Sequence, residues 1–182
     1  MHGKSRAEEE SNINARRVPI SAKFNHGVSM IPHFEKRAKG GEDAYVSRDN
    51  LMIVADGVGG WAEVGVDPGL FSKELVKLIE IEYDKNPRGY LKGMLVEAVK
   101  KNKHIGSSTA VIASLEMRDG SVVMKTCNLG DSGYVIFRAP TPDSKSMERL
   151  DVLFRSKEQQ YRFNFPYQCG TDSESPTRAF DY

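Results

Sequence analysis

Three glycine-flanked acidic sites carry residue types suited to chemistry: Glu42 and Asp43 in GGEDAY, Asp56 in VADGVGG, and Asp131 in NLGDSG. Oxygen ligands of this kind suit a hard divalent cation, and an adjacent glycine lets a carbonyl oxygen or bridging water come close. If their loops converge on one rim, like charges so near one another are tolerated only with cations between them. Taken singly, each site has a plainer reading. Asp56-Gly57 suits a tight turn, Asp131 suits a hairpin turn, and a charged pair before a strand is common. A third reading takes Gly57, Gly59 and Ala62 as a G-x-G-x-x-A loop that cradles a pyrophosphate. Against it, Asp56 would face the incoming phosphates, and Val64-Gly65-Val66-Asp67-Pro68 delays the helix such a loop requires. The DG stretch alone does not separate a cation site from a turn.

The acidic sites fall at the ends of elements that the sequence predicts. AYVSRDNLMIVAD reads as a hairpin turning on Arg48-Asp49-Asn50, with Glu42 and Asp43 before its first strand and Asp56 closing its second. Upstream, ISAKFNHGVSMIP suggests a first strand with a turn at Asn25-His26-Gly27. A helix begins at Asp67 with Pro68 in the favourable first position, its rows marked by Phe71, Leu75, Leu78, Ile79 and Glu82. A second begins near Asn86-Pro87, where Tyr90/Leu91, Met94/Leu95 and Ala98/Val99 recur with core-facing periodicity. Lys100, Lys101 and Lys103 crowd its end, a placement that suits the helix dipole and a solvated terminus. AVIASLEM and SVVMKTCNLG flank a hairpin turn at Arg118-Asp119-Gly120, and GYVIFRA follows, predicting a three-stranded antiparallel meander. Residues 139–149 read as a loop, and RLDVLFRS as one more strand. Strands, helices, then strands again make an α+β protein rather than an alternating βαβ one.

Composition sets the outer bounds. The 182 residues are 39% hydrophobic and 28% charged, which is ordinary for one globular core. Lys and Arg (26) nearly balance Asp and Glu (25), so bulk charge makes no case for nucleic acid or an anionic membrane. No apolar run reaches the length of a bilayer span. Cys127 and Cys169 lack metal-type spacing and read as reduced, structural thiols. The N-terminal stretch is polar and carries Glu8-Glu9-Glu10, unlike an acid-poor presequence.

Six segments, GGEDAYV, VADGVGGW, GVDPGLFSKELV, GSSTAVIASL, CNLGDSGYVIF and QQYRFNFPYQCGT, occur in that order between residues 40 and 171. They resemble successive signatures of the metal-dependent serine/threonine protein phosphatases of the PPM, or PP2C, class. ADGVGGW and FNFPYQ narrow the resemblance to the PTC7-like subgroup. It implies an α-β-β-α sandwich of two antiparallel sheets, with a pair of Mg²⁺ or Mn²⁺ ions on one edge. Asp56 is then the bridging and catalytic ligand, Gly57 gives its carbonyl oxygen, Glu42 and Asp43 join the shell, and Asp131 lies near a weaker metal. The implied reaction is hydrolysis of phosphoserine and phosphothreonine by metal-activated water. Trp61 reads as an aromatic core anchor.

Three departures from the family pattern qualify that expectation. Val58 stands where many members carry a histidine, as it does in PTC7-like members. Ala38 stands where a phosphate-gripping arginine is usual, leaving Arg37 or Lys39 as phosphate-binding candidates. Nothing after Gly170 resembles the late DG and DN signatures that supply two further metal aspartates. The expectation is therefore a flexible leader at 1–18, a partial phosphatase domain at 19–169, truncated at its C-terminal side, and a polar tail at 170–182. An alternative is an inactive, truncated subunit with a binding or structural role. The expected partners are a phosphoprotein substrate and a protein covering the apolar edge that missing strands would expose, with no nucleic acid and no membrane span. The subgroup resemblance implies a mitochondrial location.

Overall fold

Alternation along Leu51-Met52-Ile53-Val54-Ala55-Asp56 decides which way the key aspartate faces. Leu51, Ile53 and Ala55 are buried while Val54 and Asp56 are exposed, the two-residue period of a half-buried strand. In the structure, a computed structural model describing residues 22–140 and 150–171, this strand, β2 (Leu51–Asp56), pairs antiparallel with β1 (Asp43–Ser47). The turn falls where the sequence predicts it, with Arg48 N–H donating to Leu51 O at 2.8 Å. Its register sets Asp43 directly opposite Asp56.

Two longer strands, β4 (Ala110–Arg118) and β5 (Ser121–Leu129), complete a four-stranded antiparallel sheet in the order β1-β2-β4-β5. Asp119 and Gly120 turn between them with φ of 51° and 76°, the left-handed pair that matches strand twist in a two-residue hairpin. Short antiparallel ladders accompany this sheet. β3 (Ser107–Ser108) pairs with β10 (Cys169–Gly170), β6 (Val135–Arg138) with β7 (Asp151–Arg155), and β8 (Gln160–Arg162) with β9 (Phe165–Pro166).

Helix α1 (Pro68–Lys85) lies on one face of the sheet. It starts at the predicted cap, the Asp67 carboxylate accepting from Gly69 N–H at 3.0 Å with Pro68 in the first turn. Phe71, Leu75, Ile79 and Tyr83 recur every fourth residue and are all buried against Leu51, Ile53, Ala110 and Ile112. Each fully buried side chain of this size contributes roughly 1.5–3 kcal/mol. α2 (Leu91–Lys101) packs beside it, burying Leu91, Met94, Leu95 and Ala98. Lys100 pairs with Glu97 and Lys101 with Glu82, so the basic end of α2 is a solvated, ion-paired terminus. No helix among the described residues is long and apolar enough to cross a membrane.

Four expectations need correction. Residues 22–33 form no strand. Val28, Met30 and Ile31 stay 48%, 40% and 82% exposed, so this segment has no buried face to hold a register. α2 begins at Leu91 rather than near Asn86, because Gly89 N–H closes a turn on Asn86 O and Tyr90 points to solvent. The meander stops at two strands. Gln159 and Lys157 occupy the edge of β5 at Asn128, and β6 pairs with β7 instead. Trp61 is half-buried rather than a core anchor, its indole N–H donating to Ser107 Oγ at 2.6 Å. The 1–18 leader and the chain beyond Thr171 lie outside the described residues.

The sheet face away from the helices carries Tyr45, Val54, Met117, Val122 and Met124, all exposed. This is the side on which β2 also presents Asp56. An apolar surface thus adjoins a carboxylate rim.

Candidate functional site

The backbone around Glu42 brings the first two acidic segments together. Glu42 O accepts from Gly57 N–H at 3.1 Å and from the Ser72 hydroxyl on α1. That one carbonyl therefore ties the ED segment to the end of β2 and to the first turn of α1. The next residue, Asp43, lands across from Asp56 and shares a side-chain hydrogen bond with it. Like charges directly opposite on neighbouring strands destabilise a sheet. The pairing makes sense only with a proton or cation between the two carboxylates.

Asp131 reaches the same place through Thr109. Asp56 O accepts from Thr109 N–H at 3.0 Å and from Ser108 Oγ at 2.8 Å. Thr109 Oγ1 lies 2.7 Å from Ser132 Oγ, beside Asp131. Glu42, Asp56 and Asp131 all line one cavity of about 750 Å³, together with Lys36, Thr109 and the 161–168 segment. Partial withdrawal of its carboxyl from water, the charge and hydrogen bond of Asp43, and then the charges of Asp131 and Glu42 push the Asp56 pKa up to about 6. The other three carboxylates thus all act on Asp56.

Among the described residues, no three carboxylate, imidazole or thiol groups close tightly enough to enclose a cation. The acids have taken other partners: Asp43 and Asp56 hold each other, and Glu42 holds the Lys36 ammonium. The donor set is nonetheless all oxygen and strongly anionic, which fits a hard divalent cation and not a soft one. Glu42, Asp43, Asp56, Asp131 and the Gly57 carbonyl are the groups that could hold it.

Lys36 is the cation at this rim that sequence reading passed over. It lies on a 3₁₀ turn, Phe34–Lys39, and its ammonium lines the carboxylate cavity. Three residues per turn put Lys36 and Lys39 on one side and Arg37 a third of a turn away. The Arg37 guanidinium sits 5.6 Å from the Phe34 ring centroid, and neither Arg37 nor Lys39 lines this cavity. Lys39 borders a neighbouring cavity of about 230 Å³. Spacing from the ED pair cannot report which cation reaches the rim, because that depends on how the turn is rotated.

A hydroxyl network behind the rim also went unassigned. Ser107 Oγ receives the Trp61 indole N–H and donates to Gln168 Oε1 at 3.1 Å, joining the glycine-rich turn to the FNFPYQ segment. A separate cavity of about 350 Å³ contains Cys127, whose thiol burial pushes up to about 11. Burial raises Cys169 further, to about 12. Neither sulfur supplies a thiolate nucleophile at neutral pH.

Comparison with known proteins gives this architecture a lineage. Probable protein phosphatase 2C 80 of Arabidopsis thaliana is 38% identical over 164 residues, which are 86% of this chain and 36% of that protein. Protein phosphatase PTC7 homolog fig of Drosophila erecta is 37% identical over 178 residues, 90% of this chain and 52% of that protein. The solved X-ray structure of the photosystem II phosphatase PBCP superposes with a TM-score of 0.66 at 33% identity, covering 81% of this chain and 55% of that one. No protein-family model matches the chain. It spans about a third to a half of the curated relatives compared here. The helix pair on an antiparallel sheet with acids at the strand ends is a PP2C-type phosphatase architecture. In sequence and fold the chain is thus similar to the PP2C-type protein phosphatases, PTC7 homologs among them.

Proposed function

We propose that this chain hydrolyses phosphoserine and phosphothreonine in proteins, with Mg²⁺ or Mn²⁺ as cofactor, at the cavity bounded by Glu42, Asp56 and Asp131. The observation that carries this reading is the register that opposes Asp43 to Asp56, with Glu42 and Asp131 close enough to raise the Asp56 pKa further. Asp56 is the central ligand in this reading, with Glu42, Asp43, Asp131 and the Gly57 carbonyl around it. When bound, divalent cations lower the pKa of water and neutralise charge on phosphoryl oxygens. The protein's own contribution is placement. Ser72 and Gly57 hold the ED segment, and Thr109 with Ser108 holds the end of β2. Lys36 offers an ammonium at the rim to a phosphoryl oxygen once Glu42 turns to a cation. Val58 brings no acid to protonate the leaving group. The PTC7-like resemblance favours a mitochondrial location, which subcellular fractionation tests.

Phosphate release from a phosphoserine peptide is expected to require Mn²⁺ or Mg²⁺ and to stop on chelation. Release that persists in excess chelator, or none at any divalent-cation concentration, contradicts the proposal. A second expectation concerns Lys36. Its ammonium competes with a divalent cation for Glu42, so Lys36→Met should tighten Mn²⁺ binding by roughly fivefold, the effect of one partly screened charge a few ångströms away. Calorimetric titration of both proteins with Mn²⁺ reads this directly. Equal or weaker binding by the variant would show that Lys36 does not compete.

A further inference from the structure

Residues 161–168 wall one side of the carboxylate cavity. The β8–β9 hairpin turns on Phe163-Asn164, with Asn164 at φ 59° and its N–H donating to Gln160 Oε1 at 3.1 Å. That bond and the two-residue turn define the tip. The base is tied to the Asp131 loop: Gln159 N–H donates to Gly130 O at 2.8 Å, and Gly130 N–H donates back to Gln159 Oε1 at 3.2 Å. The hairpin is thus positioned by the residue next to Asp131.

Its side chains are aromatic and largely in water. Phe163 is 92% exposed, Tyr161 71% and Phe165 52%. Tyr161 packs against Tyr167 with ring centroids 3.9 Å apart and planes tilted by 35°, and the Arg162 guanidinium covers the Phe165 ring at 3.9 Å. Tyr161 and Phe165 also line the carboxylate cavity, so aromatic patch and cavity share a wall. A cluster of exposed aromatics on a pinned turn is a contact surface, since rigid rings bury large area at small entropic cost. Because the patch continues into the carboxylate cavity, a ligand that fills both has a phosphoryl group attached to a chain bearing apolar side chains.

We propose that the β8–β9 hairpin is a substrate-docking element, in which Phe163, with Tyr161 and Phe165 beside it, receives an apolar side chain of the phosphoprotein close to its phosphoserine. The proposal rests on the phosphatase reading and names a feature of its substrate. A polar-flanked phosphoserine lacks this contact and binds more weakly.

Two fluorescent peptides test it, both carrying a non-hydrolysable phosphonate analogue of phosphoserine, one flanked by leucines and the other by serines. Anisotropy titrations with the full chain in Mn²⁺ should show severalfold tighter binding of the leucine peptide. In Phe163→Ala the preference should collapse towards unity, a loss of roughly five- to tenfold for a truncated aromatic contact. Phe163→Leu should retain most of it. Equal binding of the two peptides by the wild type, no binding of either, or an unchanged preference in Phe163→Ala each overturns the proposal. Phosphate release from the matching phosphoserine peptides is measured separately. A leucine preference that depends on Phe163 without any hydrolysis upholds docking and defeats the hydrolytic reading.

Discussion

Asp56→Asn should abolish divalent-cation-dependent phosphate release, by at least about a thousandfold, because it removes the central anionic oxygens of the rim. The same substitution should stabilise the chelated, cation-free protein. Asp56 has a folded pKa of about 6 against an ordinary 3.8. Its sign follows from proton linkage: between about pH 4 and 6 the unfolded chain releases the proton first, so stability falls as pH rises through that window. Above it the ionised carboxylate repels Asp43, Asp131 and Glu42 at full strength. Asparagine carries no charge and removes that cost, on the order of 1 kcal/mol once solvent screening at an exposed strand end is allowed for. Urea unfolding of wild type and Asp56→Asn in chelator at pH 4 and pH 7 measures it. The two curves should lie closer at pH 4 and separate at pH 7, the variant being the more stable. A variant less stable at pH 7, or one that keeps cation-dependent activity, would remove Asp56 from the centre of the site. Opposite effects on activity and stability distinguish a functional carboxylate from a structural one.

Gly57→Ala should damage both site and fold. A Cβ at Gly57 would lie 2.7 Å from Glu42 O and 2.8 Å from Pro68 O. Both obstacles are backbone, so neither can swing aside as a side-chain terminus would. Relief requires the ED segment to part from the end of β2, or the first turn of α1 to shift. Either movement breaks the hydrogen bond from Gly57 N–H to Glu42 O and separates Asp43 from Asp56. Overpacking of this kind costs about 2–3 kcal/mol, enough to lower Tm by roughly 4–10 °C in a chain of this size. Thermal unfolding and Mn²⁺ titration should both report the damage. A variant with wild-type Tm would show that the contact around Glu42 O is loose and that Gly57 is not required for close packing.

These expectations depend on details of unequal visibility. The β1–β2 hairpin, the Asp67-Pro68 start of α1, the β4–β5 turn and the strand end at Asp56 were legible from local order, since turns, caps and alternating burial are decided within a few residues. Buried Phe71, Leu75 and Ile79 follow from a period that needs no knowledge of what they pack against. The ordered motifs also marked the family, and the acids of those motifs are the ones found around the cavity.

What local order could not settle was who stands beside whom. Lys36 rather than Arg37 reaches Glu42 because a 3₁₀ turn is rotated as it is, and one residue of rotation exchanges them, while Lys39, on the same side, lies a full turn further along. β6 leaves β5 for β7 because the Lys157 carbonyl, which accepts from the Asn128 amide, and the Gln159 side chain, which donates to Asn128 O, have taken that edge. Trp61 finds Ser107, distant along the chain, through an indole hydrogen bond rather than a core. Amino-acid order by itself therefore determined that carboxylates would end these strands. Only tertiary structure decided that Asp131 joins Glu42 and Asp56 at one cavity, because no single hairpin turn links them and the β2–β4 and β4–β5 pairings must form together to bring that loop to the end of β2.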